Sequence, residues 1–148
     1  MTTEPWRLGA VELAAAIRDR RLSAREATDS VLARIAAVNP QLNALATVLA
    51  DEARAAADAA DAAQSRGERL GLLHGVPVTI KVNVDVAGQP TTDGVVALKD
   101  NIATEDSPLV HSMREAGAIL VGRNNATAFS LRWFTDNAFH GRTLNPFD

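Results

Sequence analysis

Residues 73–94 read LHGVPVTIKVNVDVAGQPTTDG, and the fold turns on them. Val76, Val78, Ile80, Val82 and Val84 occupy every second position, the period that places alternate side chains on one face of a strand. The alternation predicts a strand from Val76 to Val84 with Lys81 on the opposite face. Glycine and proline then mark GQPTTDG, residues 88–94, as loop, and its Asp93-Gly94 pair reads first as a turn. Further on, Ser107-Pro108 marks a helix start and Gly117 its end, before an apolar strand over residues 118–121. Strand, helix, strand is a crossover that joins parallel strands, so this half of the chain reads as the opening of an α/β sheet.

Upstream the period changes. Leu8, Val11 and Ile17, then Val31, Ile35 and Val38, recur at helical spacing and predict two helices. The break falls at residues 20–23, where Ser23 and Glu26 have the spacing of a capping box. The second helix is expected over Ser23 to Val38, stopping before Asn39-Pro40, because proline disfavours helical geometry in the residue ahead of it. Leu42 to Val48 suits a brief extended crossing. The alanine-rich DEARAAADAADAAQS, residues 51–65, predicts a third helix whose small side chains allow close packing. The fold class is thus α/β: N-terminal helices, then the start of a mixed, mostly parallel sheet covered by helices. Two strands do not complete a sheet, so exposed edges and apolar faces are expected.

Composition narrows the function. The chain has 148 residues, 47% hydrophobic and 22% charged, with a formal net charge of −3. Its basic residues are scattered, which excludes the cationic surface that phosphate backbones require, so no nucleic-acid partner is expected. With no cysteine, thiolate chemistry and disulfides are excluded. His74, His111 and His140 lack metal-ligand spacing and read as structural or surface residues, so neither metal nor cofactor is expected. No apolar run approaches the roughly 18–20 residues of a membrane span, and the charged start MTTEPWRLGAVELAAAIRDRR does not resemble a secretory leader. A soluble, cytoplasmic protein is the expectation.

On alternation alone, Lys81 reads as an ordinary solvated strand residue. What changes that reading is the string around it. Leu73, Gly75, Val76, Pro77, Ile80, Lys81, Asn83, Thr91, Thr92 and Gly94 stand in the order of a pattern L-x-G-V-P-x-x-I-K-D-N followed by a T-T and G loop. This resembles the catalytic-lysine segment of the amidase-signature family. EDSPLVHSMREAGAILVGRNN and FTDNAFHGRTLNPFD are similar to its next helix and strand and to the asparagine-proline segment ahead of its serine motif. The helical start resembles it more weakly.

The resemblance implies an amide hydrolase that uses one lysine and two serines, with Lys81 as the catalytic lysine. The serine hydroxyl attacks the carbonyl once a base has taken its proton, and a lysine can be that base only when burial holds it neutral. The family's G-G-S-S-G-G loop follows the segment matched here by Asn145 to Asp148. Ser107, Ser112 and Ser130 match other parts of the pattern, so none is assigned as nucleophile. Residues 1–148 are accordingly expected to be the N-terminal portion of one amidase domain, with 1–67 a helical segment and 68–148 the start of the α/β core. Such a chain is expected to be inactive alone and to act on a small-molecule amide once completed by a C-terminal polypeptide. Association through sheet edges into a homo-oligomer is the other expected partnership.

Two departures stand out: Val82 replaces the usual acidic residue after the lysine, and Thr127-Ala128-Phe129 replaces a proline-glutamate-phenylalanine turn. Asn83 is left as a hydrogen-bonding neighbour of Lys81. Trp133-Phe134 beside Arg132 reads as core more readily than as pocket lining. Alternatives are a non-catalytic truncated or split fragment, a glutaminase-type component of a transfer-RNA transamidation complex, and a helical binding module built from the first 65 residues.

Overall fold

The computed structural model describes residues 4–147. The chain divides into two compact units: residues through Ala37 with Leu49–Val78 and Ser112–Val121, and Val38–Val48 with Thr79–His111 and Gly122 onward. Regular elements occur in both. They are helices α1 (Ala10–Arg18), α2 (Ala24–Leu42), α3 (Ala50–Ser65) and α4 (Pro108–Glu115), and strands β1 (Leu45–Val48), β2 (Pro77–Lys81), β3 (Ile119–Asn124), β4 (Asp136–Asn137) and β5 (Gly141–Arg142). The sheet order is β1-β3-β2, with β4 and β5 as a separate pair.

In the first unit the expected helical periods are used in part: Ile17 is buried, Leu8, Val31 and Ile35 pack against the core, and Val11 is 84% exposed. Leu13, Ala14 and Ile17 of α1 pack with Ala27 and Val76, while Ala24 and Leu32 of α2 pack with Ala53 and Ala57 of α3 and with Ile119 and Val121. The capping box is formed: Ser23 N donates to Glu26 Oε2 at 2.8 Å and Glu26 N to Ser23 Oγ at 3.0 Å. Donation from Ser23 N and from Ser23 Oγ to Glu26 Oε2 holds the Glu26 carboxyl below its ordinary value. Asp61 of α3 completes the cap by accepting from Ala24 N at 2.7 Å and Arg25 N at 3.0 Å. The alanine face of α3 is what lets it come this close. Across the same helix pair Asp29 accepts from Arg54 and Arg25, and both lower its carboxyl.

Gly117 ends α4 as expected. Its φ is 86°, Ala118 N donates to Met113 O, and Gly117 N donates to Arg114 O, the bond pattern of a Schellman cap. A Cβ there would lie 2.8 Å from His74 Cα, so only glycine fits. The strand before and the strand after this helix are parallel: Ile119 N donates to Val76 O and Val82 N to Asn124 O, so pairing advances in the same direction along both. The expected crossover is present. β1 pairs with β3 antiparallel, which makes the sheet mixed.

Four expectations need correction. Helix α2 does not stop before Asn39-Pro40 but runs to Leu42. Pro40 sits in the last turn, where the bond it removes would have gone to the carbonyl of the exposed Ala36. The helix ends instead at Asn43, with φ 52°, while the Asn39 side chain brackets both backbone polar groups of Leu45. Strand β2 ends at Lys81, three residues early, because Val84 N turns back to Lys81 O at 3.1 Å. Strand β3 runs on past Val121 to Asn124. Finally, Trp133 and Phe134 are 105% and 58% exposed rather than core, since residues 131–135 bend without forming an element that could present them inward.

Candidate active site

Lys81, the last residue of β2, is exposed, and Ile80 and Val82 on either side are buried. The strand therefore points this side chain away from the apolar face, as its alternation required. The turn that follows is fastened from beneath. Arg123 of β3 is 1% exposed, and its Nη2 donates to Val84 O at 2.7 Å and to Lys81 O at 3.3 Å. Burial lowers the guanidinium's ordinary value, with the Asp85 carboxylate opposing that shift.

Two donors meet in front of this turn. Lys81 Nζ donates to Ser130 Oγ at 3.3 Å and Asn83 Nδ2 donates to the same oxygen at 3.1 Å. Ser130 closes the short 3-10 turn Ala128–Ser130, in which Phe129 and Ser130 have φ of 51° and 56°. Asp93-Gly94 forms the turn expected of it: both residues have positive φ, and Val95 N donates to Thr92 O at 2.8 Å. Gly94 also lies against the 126–128 backbone, where a Cβ would meet Ala126 O at 2.9 Å, and Phe129 N donates to Asp93 O. The two turns brace each other.

Beside them lies a polar network. Asn125 Oδ1 accepts from Asn137 Nδ2 at 2.9 Å, and Asn137 Oδ1 accepts from Phe139 N and His140 N. Asn43 Nδ2 donates to His140 O at 2.6 Å. The His140 ring meets Thr92 Oγ1 at 2.9 Å, and burial lowers the imidazole from its ordinary value. His74 Nε2 donates to Ala60 O at 3.2 Å, and His111 is exposed on α4. Among the described residues no group of three or more His, Cys, Asp or Glu could hold a metal ion. Nor is any helix among them long and apolar enough to cross a membrane.

Sequence reasoning singled out Lys81 and Asn83 and set Ser130 apart from them; the structure brings all three together. It also missed Arg123. The signal for Arg123 was available, since it follows an apolar run that the strand simply continues. Ser130 carries no comparable local signal, because only the fold of residues 126–130 brings it to the end of β2. Ser107 precedes α4, with its Oγ accepting from Val110 N at 3.4 Å, and Ser112 lies within the helix.

Known proteins match this chain over nearly its whole length. Indoleacetamide hydrolase of Bradyrhizobium diazoefficiens is 52% identical over 143 residues, 97% of this chain and 27% of that protein. Acylamidase of Rhodococcus erythropolis is 40% identical over 142 residues, 95% of this chain and 29% of that protein. The crystal structure of a bacterial aryl acylamidase of the amidase-signature family superposes with a TM-score of 0.90 at 33% identity, covering 95% of this chain and 30% of that one. The chain thus spans less than a third of the length of these relatives. The amidase family model matches residues 26–148, from the capping glutamate of α2 through the whole Lys81 site. This chain belongs to the amidase family.

Proposed function

We propose that residues 1–148 form the N-terminal portion of a single amidase domain, with 1–67 its helical segment and 68–148 the opening of its α/β core. The completed protein hydrolyses carboxylic amide C–N bonds, with Lys81 as its acid and base. The observation that carries this reading is Lys81 itself, set at the end of β2 inside the amidase match with its backbone held by Arg123. A neutral Lys81 amine accepts the proton of a serine hydroxyl as that oxygen bonds to the amide carbon. The tetrahedral oxyanion collapses as the C–N bond breaks and the leaving amine takes a proton. Water then cleaves the acyl ester to the acid.

Lys81 is exposed among the described residues, so its enclosure and the attacking serine are assigned to sequence that the relatives have beyond the stretch matched here. That sequence is supplied in the same domain or by a complementing C-terminal polypeptide, and the substrate is a small-molecule amide. The chain alone is inactive. The compartment we propose is the cytoplasm.

The test is hydrolysis of simple aliphatic and aromatic amides by the chain alone and with the C-terminal part of an amidase relative. Activity in the mixture only, abolished by Lys81→Ala, is the expected result. Hydrolysis by the chain alone would overturn the division of labour.

A further inference from the structure

We infer that Ser130 is a positioning residue for Lys81, a role that rests on the amidase reading for its purpose but not for its geometry. A lysine at a strand end has a fixed Cα and a mobile ammonium, because its four-carbon stem rotates freely in water. Ser130 supplies the missing anchor. Its Oγ receives Lys81 Nζ at 3.3 Å and Asn83 Nδ2 at 3.1 Å, which fills both acceptor sites of a hydroxyl oxygen and leaves its O–H free to donate onward. Asn83 lies two residues after Lys81, so one turn sends two donors to one oxygen.

The backbone that presents this oxygen is strained. Left-handed φ at Phe129 and Ser130 is a conformation that side chains with a Cβ rarely adopt, and two such residues in succession are rarer. Strain of this kind persists only where surrounding contacts over-determine it. Here they do: Phe129 N is held by Asp93 O, Ser130 N by Thr127 O, and Gly94 packs against the Ala126 carbonyl. Glycine at 130 would relieve the backbone, yet the residue present is a serine whose hydroxyl receives the lysine. Held this way, the Lys81 nitrogen stays beside the β2 end, where an incoming serine–carbonyl pair would meet it.

The chain contains only two lysines, Lys81 and Lys99, so lysine-selective 15N labelling yields one probe and one internal control. Exchange of the Nζ protons with water, measured at about pH 6 in the full chain, reads the hydrogen bond directly. Ser130→Gly removes the hydroxyl while easing the backbone. It is expected to speed exchange at Lys81 about two- to tenfold, with Lys99 unchanged and the melting temperature equal or higher. Asn83→Ala is expected to move the Lys81 signal in the same direction by less. Unchanged exchange at Lys81 in Ser130→Gly would overturn the inference, and so would equal acceleration at both lysines. Amide hydrolysis plays no part in this readout, so its failure and that of the amidase reading remain separate.

Discussion

At Arg123 a buried guanidinium joins the carbonyls of Lys81 and Val84, while its Nε and Nη1 find no hydrogen-bond partner among the described residues. Such a group is costly to bury and costlier to remove, since truncation leaves a cavity and takes the guanidinium from the Val84 carbonyl, while Lys81 O keeps its bond from Val84 N. Arg123→Ala should destabilise the chain by about 2–4 kcal/mol, read from its urea midpoint at constant m-value. His140 yields a prediction about pH. Its folded-state value is depressed by burial, so above the usual imidazole value of 6.5 both states are neutral and stability is fully present. As pH falls below that, the unfolded chain binds the proton more readily and stability is lost. The slope should be at most about 1.4 kcal/mol per pH unit, beginning near pH 6.5 and absent in His140→Asn. The depressed carboxyls of Glu26 and Asp29 act in a lower window, as pH falls below their ordinary values of 4.5 and 3.8. Sequence pointed to His140 as a structural or surface residue and not to its depressed value, because its partners Asn43 and Thr92 lie far away along the chain.

Elements were legible where one local rule decided them. The Ser23–Glu26 cap, the alanine-rich α3 and the Gly117 stop depend on contacts within a few residues, and each formed where expected. Boundaries set by tertiary contacts were not legible. Helix α2 passes Pro40 because Asn39 and Asn43 close the turn beyond it, and β2 stops at Lys81 because a turn fastened by Arg123 begins there. The cap after α4 joins both kinds of constraint, since Gly117 has both a positive φ and a close neighbour in His74. Gly117→Ala should therefore cost about 2–4 kcal/mol, more than the roughly 1 kcal/mol of left-handed strain alone, measured as a lowered thermal midpoint. A loss of 1 kcal/mol or less would mean that the His74 backbone yields freely.

For the molecule as a whole, the α/β class and the parallel crossover followed from hydrophobic period, and the family from an ordered string of residues around Lys81. Trp133 and Phe134 were misjudged for a reason at this same scale. Aromatic residues are core when a complete layer covers them, whereas Phe129, Leu131, Trp133 and Phe134 are all exposed in this chain. The candidate site follows the same division: the reading of Lys81 rested on neighbours adjacent in sequence, whereas the approach of Ser130 to Lys81 is made only by the fold. We propose a role for Lys81 as the acid and base of an amidase. Its most direct test is a chimera in which residues 26–148 replace the matching stretch of the Bradyrhizobium diazoefficiens indoleacetamide hydrolase, assayed for kcat/KM on an amide with and without Lys81→Ala. The expected result is an active chimera whose kcat/KM falls by about 10²–10⁴ on substitution, with the fold intact by circular dichroism. An active chimera that keeps its rate after Lys81→Ala would contradict it.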